Sequence, residues 1–504
     1  MVFSSSIFIF LFLPVVISIS LALRKELRNP FLVLASLIFY AWGAIEYVPL
    51  LVVLIVFNWV AGILIERAAA QDRKQALVTG AIVVTVSGLV YFKYANFIAD
   101  NINLILKSFG LSLPHLAPAM LPLGISFFTF HLLSYVIDIY RGAARAQRNF
   151  LNFALYISFF PQMIAGPIIR YHDVASQLTD RQITFDKFAS GVERFVLGLG
   201  KKVMLANPFG RPADQIFALS AADLSTPVAW FGLVSYALQL YFDFSGYSDM
   251  AIGLGRMFGF EYLENFNYPF ISQSISEFWR RWHISLSNWF RDYLYMPLVF
   301  TFARRAGRKA GARRRKFDDR PQLAVVFLIC GIWHGANWTF VIWGAIHGVF
   351  LVLERGRFGA VLKKLPRPLA HLYVLAVIML AWVFFRAESV SGALTFLKAM
   401  AGFAGANSAA WPLRGFVDGQ TLLTLPIALL ALTPFFSALA RDWKARALQA
   451  FGQIASTNED DLPATGMFDR TMLVVRPIFL AGAFMVSVVY IAGQSYNPFI
   501  YFRF

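Results

Sequence analysis

Apolar runs close to the length of a membrane crossing recur from one end of this chain to the other. They include residues 7–23, 47–65, 76–92, 119–137, 149–169, 421–440 and 477–502. About 20 apolar residues in a helix span the roughly 30 Å hydrocarbon layer of a bilayer. Composition agrees: 58% of the 504 residues are hydrophobic, 52 of them Phe, and only 14% are charged. A soluble domain is nearer half apolar and about a quarter charged. The first run has no small-residue cleavage signature after it, so it reads as a retained span rather than a signal peptide. A single cysteine, Cys330, rules out an intrachain disulfide and argues against a thiol metal site.

The net charge of +17 does not point to nucleic acid, because the basic residues sit between the apolar runs. They cluster at Arg24, Lys25 and Arg28; at Arg67, Arg73 and Lys74; at Arg141, Arg145 and Arg148; and from Arg304 to Lys316. That is the positive-inside pattern, and it orients the chain. The N-terminus starts outside. Residues 31–44 and 47–65 form a hairpin around an outer turn at Glu46. Residues 76–92 run outward, and the mixed segment 94–116 is expected in or on the outer interface. Residues 119–137 return. Residues 149–169 hold Pro161, Gly166 and Pro167 between basic flanks, so a broken or re-entrant segment is expected there. Residues 170–202 are polar and expected in the cytoplasm; crossings between 203 and 300 are not assigned. The uncharged stretch 321–353 goes out and returns, and the later runs leave the C-terminus outside.

The expectation is an all-α polytopic membrane protein of about eleven transmembrane or re-entrant helices. Residues 1–504 form one integral-membrane domain. Residues 301–320 are its basic cytoplasmic loop, and 495–504 its outer-face tail. No period of 20–50 residues signals a repeat array.

His334 lies in the uncharged stretch, flanked by Trp333 and Gly335. An ionisable group at membrane depth is expensive and is kept mainly where it has a task. A neutral imidazole there can accept a proton from an attacking hydroxyl. Asn337 and Trp338 follow at i+3 and i+4, where they can line the same wall. Three other segments are too polar for packing alone: one around Asp243 and Ser245, one from Asn265 to Pro269, and one from Ser276 to Trp289. If the last is helical, Glu277 and Arg281 pair at i,i+4. Arg280 and His283 then lie at i,i+3 on a neighbouring face. Plainer readings stand beside these. A membrane histidine often bridges helices by a structural hydrogen bond, Glu277–Arg281 is a common kind of structural pair, and the aromatic stripes suit core or lipid. The Arg304–Lys316 run is a solvated loop, with anionic headgroups as a further partner. His283, His334 and His347 lack zinc-site spacing.

Four motifs carry a resemblance: Phe160-Pro-Gln-Met-Ile-Ala-Gly-Pro167, Tyr241-Phe-Asp-Phe-Ser-Gly-Tyr-Ser-Asp249, Glu277-Phe-Trp-Arg-Arg-Trp-His-Ile-Ser-Leu-Ser287, and Trp333-His-Gly with Trp343-Gly-Ala-Ile-His-Gly348. In this order they resemble the membrane-bound O-acyltransferase family, in particular the bacterial branch that includes the alginate O-acetyltransferase membrane subunit. Phe3-Ser-Ser and the tail Asn497 to Phe504 are similar to that branch too. The resemblance implies a helical fold around a central tunnel, with His334 as the catalytic histidine and His283 as its second polar position. Candidate lining residues are Trp333, Asn337, Trp338, Asp243, Ser245, Glu277 and Arg280. It implies no bound cofactor or metal. The donor would be acetyl-CoA or another acyl thioester at the cytoplasmic face, and the acceptor an exported polysaccharide at a bacterial inner membrane. No soluble domain remains for a serine-type transferase, so a separate periplasmic SGNH-hydrolase-like partner is expected, with a polysaccharide synthesis or export complex and membrane lipids around it. Tyr501 is the one hydroxyl in the aromatic tail, suited to an acyl relay or partner docking; an interfacial anchor is the bland alternative. A D-alanyl or peptidoglycan-directed acyltransferase remains open, as do a secondary transporter and a structural scaffold.

Overall fold

The computed structural model describes residues 1–115, 121–310, 317–403, 405, 407–439, 464–493 and 496–498, with the side chains of 306–310 and 464–474 left aside. It is 77% helix, and no strand occurs among the described residues, which settles the all-α class. Four helical stretches there are long and apolar enough to cross a membrane: Lys25–Arg67, Gln71–Phe109, Arg367–Arg386 and Val475–Gly493. Shorter apolar helices include Phe8–Ala22, Arg320–His334, Trp338–Glu354, Val390–Met400 and Gly419–Ala431.

The N-terminal hairpin forms as expected. Lys25–Ala44 and Val48–Arg67 are joined by the 3-10 turn Ile45–Tyr47. Both far ends meet one segment: Asn29 donates to Asn152 at 2.8 Å, and Glu66 accepts from the Ala146 amide at 2.9 Å. The chain has therefore reversed. The next helix runs on from the apolar run 76–92 into the mixed segment 94–116 without a break. Gln71–Leu106 is a single helix of 36 residues, about 54 Å long at 1.5 Å per residue. No Gly or Pro interrupts it between Gly88 and Gly110, and left-handed Gly110 (φ 69°) ends it after a 3-10 turn.

Residues 149–169 are broken, as the prolines require. Asn149 caps Phe150–Ser158, the helix stops at Phe159, and Phe160–Met163 adds one turn before the chain extends. Irregular backbone inside a membrane protein must find its partners within the protein. Here they are side chains: Ser36 Oγ accepts from Phe160 N at 3.1 Å, Ser285 Oγ from Ile168 N at 3.0 Å, and His131 Nε2 from Ile169 N at 3.3 Å.

The centre is the 32-residue helix Thr226–Met257, buried over most of its length. Within the polar segment 170–202, the helix Phe185–Gly200 packs against it through glycines. A Cβ added at Gly198 would lie 2.6 Å from the Gly246 carbonyl oxygen, and one at Gly253 equally close to that of Gly191. Small residues let the two backbones touch. The stretch 321–353 folds back on itself as the helices Arg320–His334 and Trp338–Glu354. These helices also meet at glycines, since a Cβ on Gly344 would lie 2.5 Å from the Phe327 carbonyl. The chain ends converge: Asn497 Nδ2 donates to Ser4 O at 3.1 Å, and Lys202 donates to the Pro498 carbonyl.

Candidate active site

His334 is the last residue of Arg320–His334, and Gly335 leaves helical geometry in an extended conformation. The imidazole packs edge-on among three rings, with centroids at 4.7 Å to Trp333, 4.8 Å to Trp343 and 5.1 Å to Phe385. A helix end leaves carbonyls without intrahelical donors. Lys93, from the long Gln71–Leu106 helix, supplies them. Its Nζ donates to Trp333 O at 2.6 Å and His334 O at 3.0 Å, and Tyr94 donates to Ile332 O at 2.8 Å. Lys93 was missed as a site residue. The signal was present in the sequence as a lone lysine between aromatics near the end of an apolar run.

His283 sits at a second break. Ile275–Arg281 ends, His283 adopts a left-handed conformation (φ 44°), and Ile284–Phe290 begins. Ser276 to Trp289 is therefore not one helix, and Arg280 and His283 do not share a face. The Glu277–Arg281 pair does form, at 2.9 Å. The break carries the imidazole into a small cavity of about 20 Å³ that His334 also lines, walled by Phe244, Trp282, Trp343, Trp382 and Phe385.

Two further cavities flank the histidines. One, of about 40 Å³, is bordered by His334, Trp333, Lys93, Gly124 and Ser126. The other, of about 470 Å³, lies toward the Arg320 end of the same helix, between Leu323 and Cys330, with Arg280, Arg291, Arg355 and Ser287 on its wall. Its size falls in the range of small-molecule sites, about 300–1,000 Å³. Cys330 on that wall precedes His334 by one helical turn.

Trp333 borders the 40 Å³ cavity and Arg280 the large one, so both stay with the site. Asn337 and Trp338 do not. Asn337 caps the return helix through Thr339 N (3.0 Å) and donates to Glu388 O (2.8 Å), while half-exposed Trp338 donates to Asn101 (2.9 Å). The helical i+3, i+4 spacing fails because Gly335 is extended. Asp243 is buried against Lys202 at 2.9 Å, and Ser245 is buried without lining these cavities; Phe244 between them is the residue that meets His283. Glu277 serves Arg281 and the Gln273 amide. Tyr501 and residues 311–316 of the basic loop lie outside the described residues. No group of three potential metal ligands occurs among the described residues. His347 is engaged by Trp279, whose Nε1 donates to its Nδ1 at 3.3 Å. Beyond the histidines, Tyr496 donates to Asp214 at 2.7 Å. Arg386, next to Phe385, donates to the same carboxylate at 3.0 Å, so the last described residues connect to the wall of the site.

Residues 126–394, which contain both histidines, match the model of the membrane-bound O-acyltransferase family. The chain belongs to this family. It is a membrane acyltransferase. Similar proteins extend along its full length. A probable alginate O-acetylase AlgI of Azotobacter vinelandii is 41% identical over 518 residues, covering 100% of both chains. The protein of that name in Pseudomonas aeruginosa is 40% identical over 542 residues, again with 100% coverage of both. A peptidoglycan O-acetyltransferase of Helicobacter pylori is 39% identical over 442 residues, 81% of each chain.

Proposed function

We propose that this acyltransferase passes an acetyl group from a cytoplasmic thioester, acetyl-CoA or a similar donor, across the bacterial inner membrane for O-acetylation of an exported, alginate-like polysaccharide. The observation that carries the reading is the shared cavity of His283 and His334, set between an arginine-lined chamber and a small cavity beside Lys93. Full-length similarity to alginate O-acetylases supports the polymer.

The chemistry follows from the placement. Arg280, Arg291 and Arg355 in the large chamber suit the phosphates of a CoA donor. The thioester extends along the Arg320–His334 helix toward the imidazoles. His334 takes the proton of the acceptor hydroxyl as its oxygen bonds to the thioester carbon. The tetrahedral intermediate then expels the thiolate, which recovers the proton from the imidazolium. His283 assists by orienting His334 or polarising the carbonyl. The termini lie on the periplasmic face, and residues 1–504 act as one membrane domain. A periplasmic SGNH-hydrolase-like protein completes the transfer, within a polysaccharide synthesis or export complex. Tyr501 in the 495–504 tail docks that partner or relays the acetyl group.

His334→Ala should leave a folded, inserted protein that transfers no acetyl. Normal polymer acetylation by a well-expressed variant would remove this reading. The Helicobacter relative favours peptidoglycan as the second acceptor, and acetylation assays on both polymers separate the two. Exchange of substrate across proteoliposomes without thioester cleavage would favour a transporter instead.

A further inference from the structure

We infer that Asn265 holds His283 in the tautomer that carries its proton on Nδ1, so that Nε2 is a lone-pair acceptor and not a donor. The inference rests on the functional reading above only for its consequence. The tautomer follows from the hydrogen bonds alone.

Asn265 lies in the irregular segment between Thr226–Met257 and Ile275–Arg281, and is buried. Its Oδ1 is 3.1 Å from the amide nitrogen of Ser285, 2.9 Å from Ser285 Oγ and 3.2 Å from His283 Nδ1. An amide side chain can be turned over, exchanging its oxygen and nitrogen. Here the Ser285 amide decides the orientation, because a backbone N–H only donates, so the atom facing it is the oxygen. An oxygen 3.2 Å from Nδ1 is favourable only if Nδ1 carries hydrogen. Ser285 Oγ accepts from Ile168 N at 3.0 Å, which leaves its single proton for one further acceptor. Giving that proton to His283 Nδ1, at 3.4 Å, would force two acceptors, Nδ1 and Oδ1, against each other. It would also place an N–H on Nε2, which is buried and has no hydrogen-bond partner among the described residues. A buried donor without an acceptor is costly. Giving it to Oδ1, at the shorter distance, leaves only Asn265 Nδ2 and the lone pair of His283 Nε2 without partners among the groups named, and an unfilled acceptor on Nε2 faces the cavity where a donor can reach it. The backbone break at His283 serves this arrangement, since the Ile284 amide also donates to the Asn265 carbonyl at 2.9 Å.

The consequence narrows the role of His283. A neutral imidazole with a bare Nε2 cannot donate a hydrogen bond to a thioester carbonyl. It can accept one, from an N–H of His334 or from the acceptor hydroxyl. Asn265 is thus a positioning residue that acts through His283, as partners of metal-bound or catalytic histidines do when they fix a ring's tautomer.

The test uses full-length protein in lipid nanodiscs, labelled with nitrogen-15 at histidine, with the His283 signals assigned by difference from His283→Gln. Wild type should show a protonated Nδ1 and an unprotonated Nε2 at His283, and so should Ser285→Ala, because the serine is not the deciding donor. Asn265→Ala should lose the fixed tautomer and lower kcat by about 10–100-fold, the usual scale for such partners, with KM unchanged. Asn265→Asp keeps the acceptor and should restore the Nδ1–H signal. An Nε2–H ring in wild type, a switch of tautomer in Ser285→Ala, or an unchanged ring in Asn265→Ala would each overturn the assignment. A transfer-competent His334→Ala enzyme would instead remove the functional reading and leave the tautomer standing.

Discussion

The ammonium group of Lys93 lies 3.0 Å from the carbonyl oxygen of His334, a contact between positions 241 residues apart in the chain. A cation at the C-terminal end of a helix meets the negative pole of its dipole and the carbonyls that the helix leaves open. The interaction holds the last turn of Arg320–His334, and with it the His334 imidazole, against the long Gln71–Leu106 helix.

Lys93→Met should therefore release that turn. Leaving buried carbonyls without donors costs about 1–3 kcal/mol, so the variant should unfold at a lower temperature and lose most of its acetyl transfer. Lys93→Arg should retain more of both. Thermal unfolding in detergent and transfer assays check this, and a wild-type rate in Lys93→Met would leave Lys93 no part in placing His334.

His283→Ala should slow transfer by less than His334→Ala; positioned acid–base groups are typically worth about 10²–10⁴-fold. Because the two rings share one cavity, the double variant should be little worse than His334→Ala alone. Additive losses in a double-mutant cycle would argue for two independent tasks.

Arg280 makes no ion pair among the described residues, whereas Arg291 is paired with Asp292 and Arg355 with Asp319. Arg280→Gln should raise KM for a CoA thioester at low salt with little change in kcat. The difference from wild type should shrink as ionic strength rises, because exposed charges are screened. Equal KM values at low salt would exclude Arg280 from donor capture.

His172, outside the spanning helices, hydrogen-bonds to the Asp138 carboxylate at 2.9 Å, and this contact raises its pKa above the ordinary imidazole value. A raised folded-state pKa stabilises the fold fully below the unfolded value, about 6.5, and the benefit is lost as pH rises through the folded value. Wild type should therefore exceed His172→Gln in thermal stability most clearly at mildly acidic pH, with the gap closing toward alkaline pH. A gap that widens with pH would contradict the pairing.

Tyr501→Phe keeps the aromatic ring and deletes the hydroxyl. Under the relay, polymer acetylation should disappear while the partner still binds, and the wild-type tail peptide should carry an acetyl-tyrosine detectable by mass spectrometry. Normal acetylation by the variant would leave the tail as an anchor.

The long apolar helices and the His334 hairpin were legible because hydrophobic run length and the spacing of basic clusters carry both. The break at Phe159 was legible because proline signals it. The break at His283 was not. A left-handed histidine has no sequence signature, so the placing of Arg280 and His283 on one face hung on Ser276 to Trp289 being a single helix. Asn337 and Trp338 went astray for the same reason, since helical spacing was carried across an extended glycine. Lys93 was passed over because it falls between the apolar run 76–92 and the mixed segment 94–116. Asn265 was noticed as unusually polar, but its task depends on a contact with Ser285 that only the folded chain creates.

The glycine contact between Phe185–Gly200 and Thr226–Met257 has a bearing on how cargo crosses. Sliding of helices past each other needs a layer of side chains that can change rotamer, and backbone touching backbone at Gly198–Gly246 and Gly191–Gly253 has none. At those two points the helices are locked backbone to backbone. Phe244, on one of these two helices, walls the cavity of His283 and His334, so any displacement of either helix would be felt at that wall.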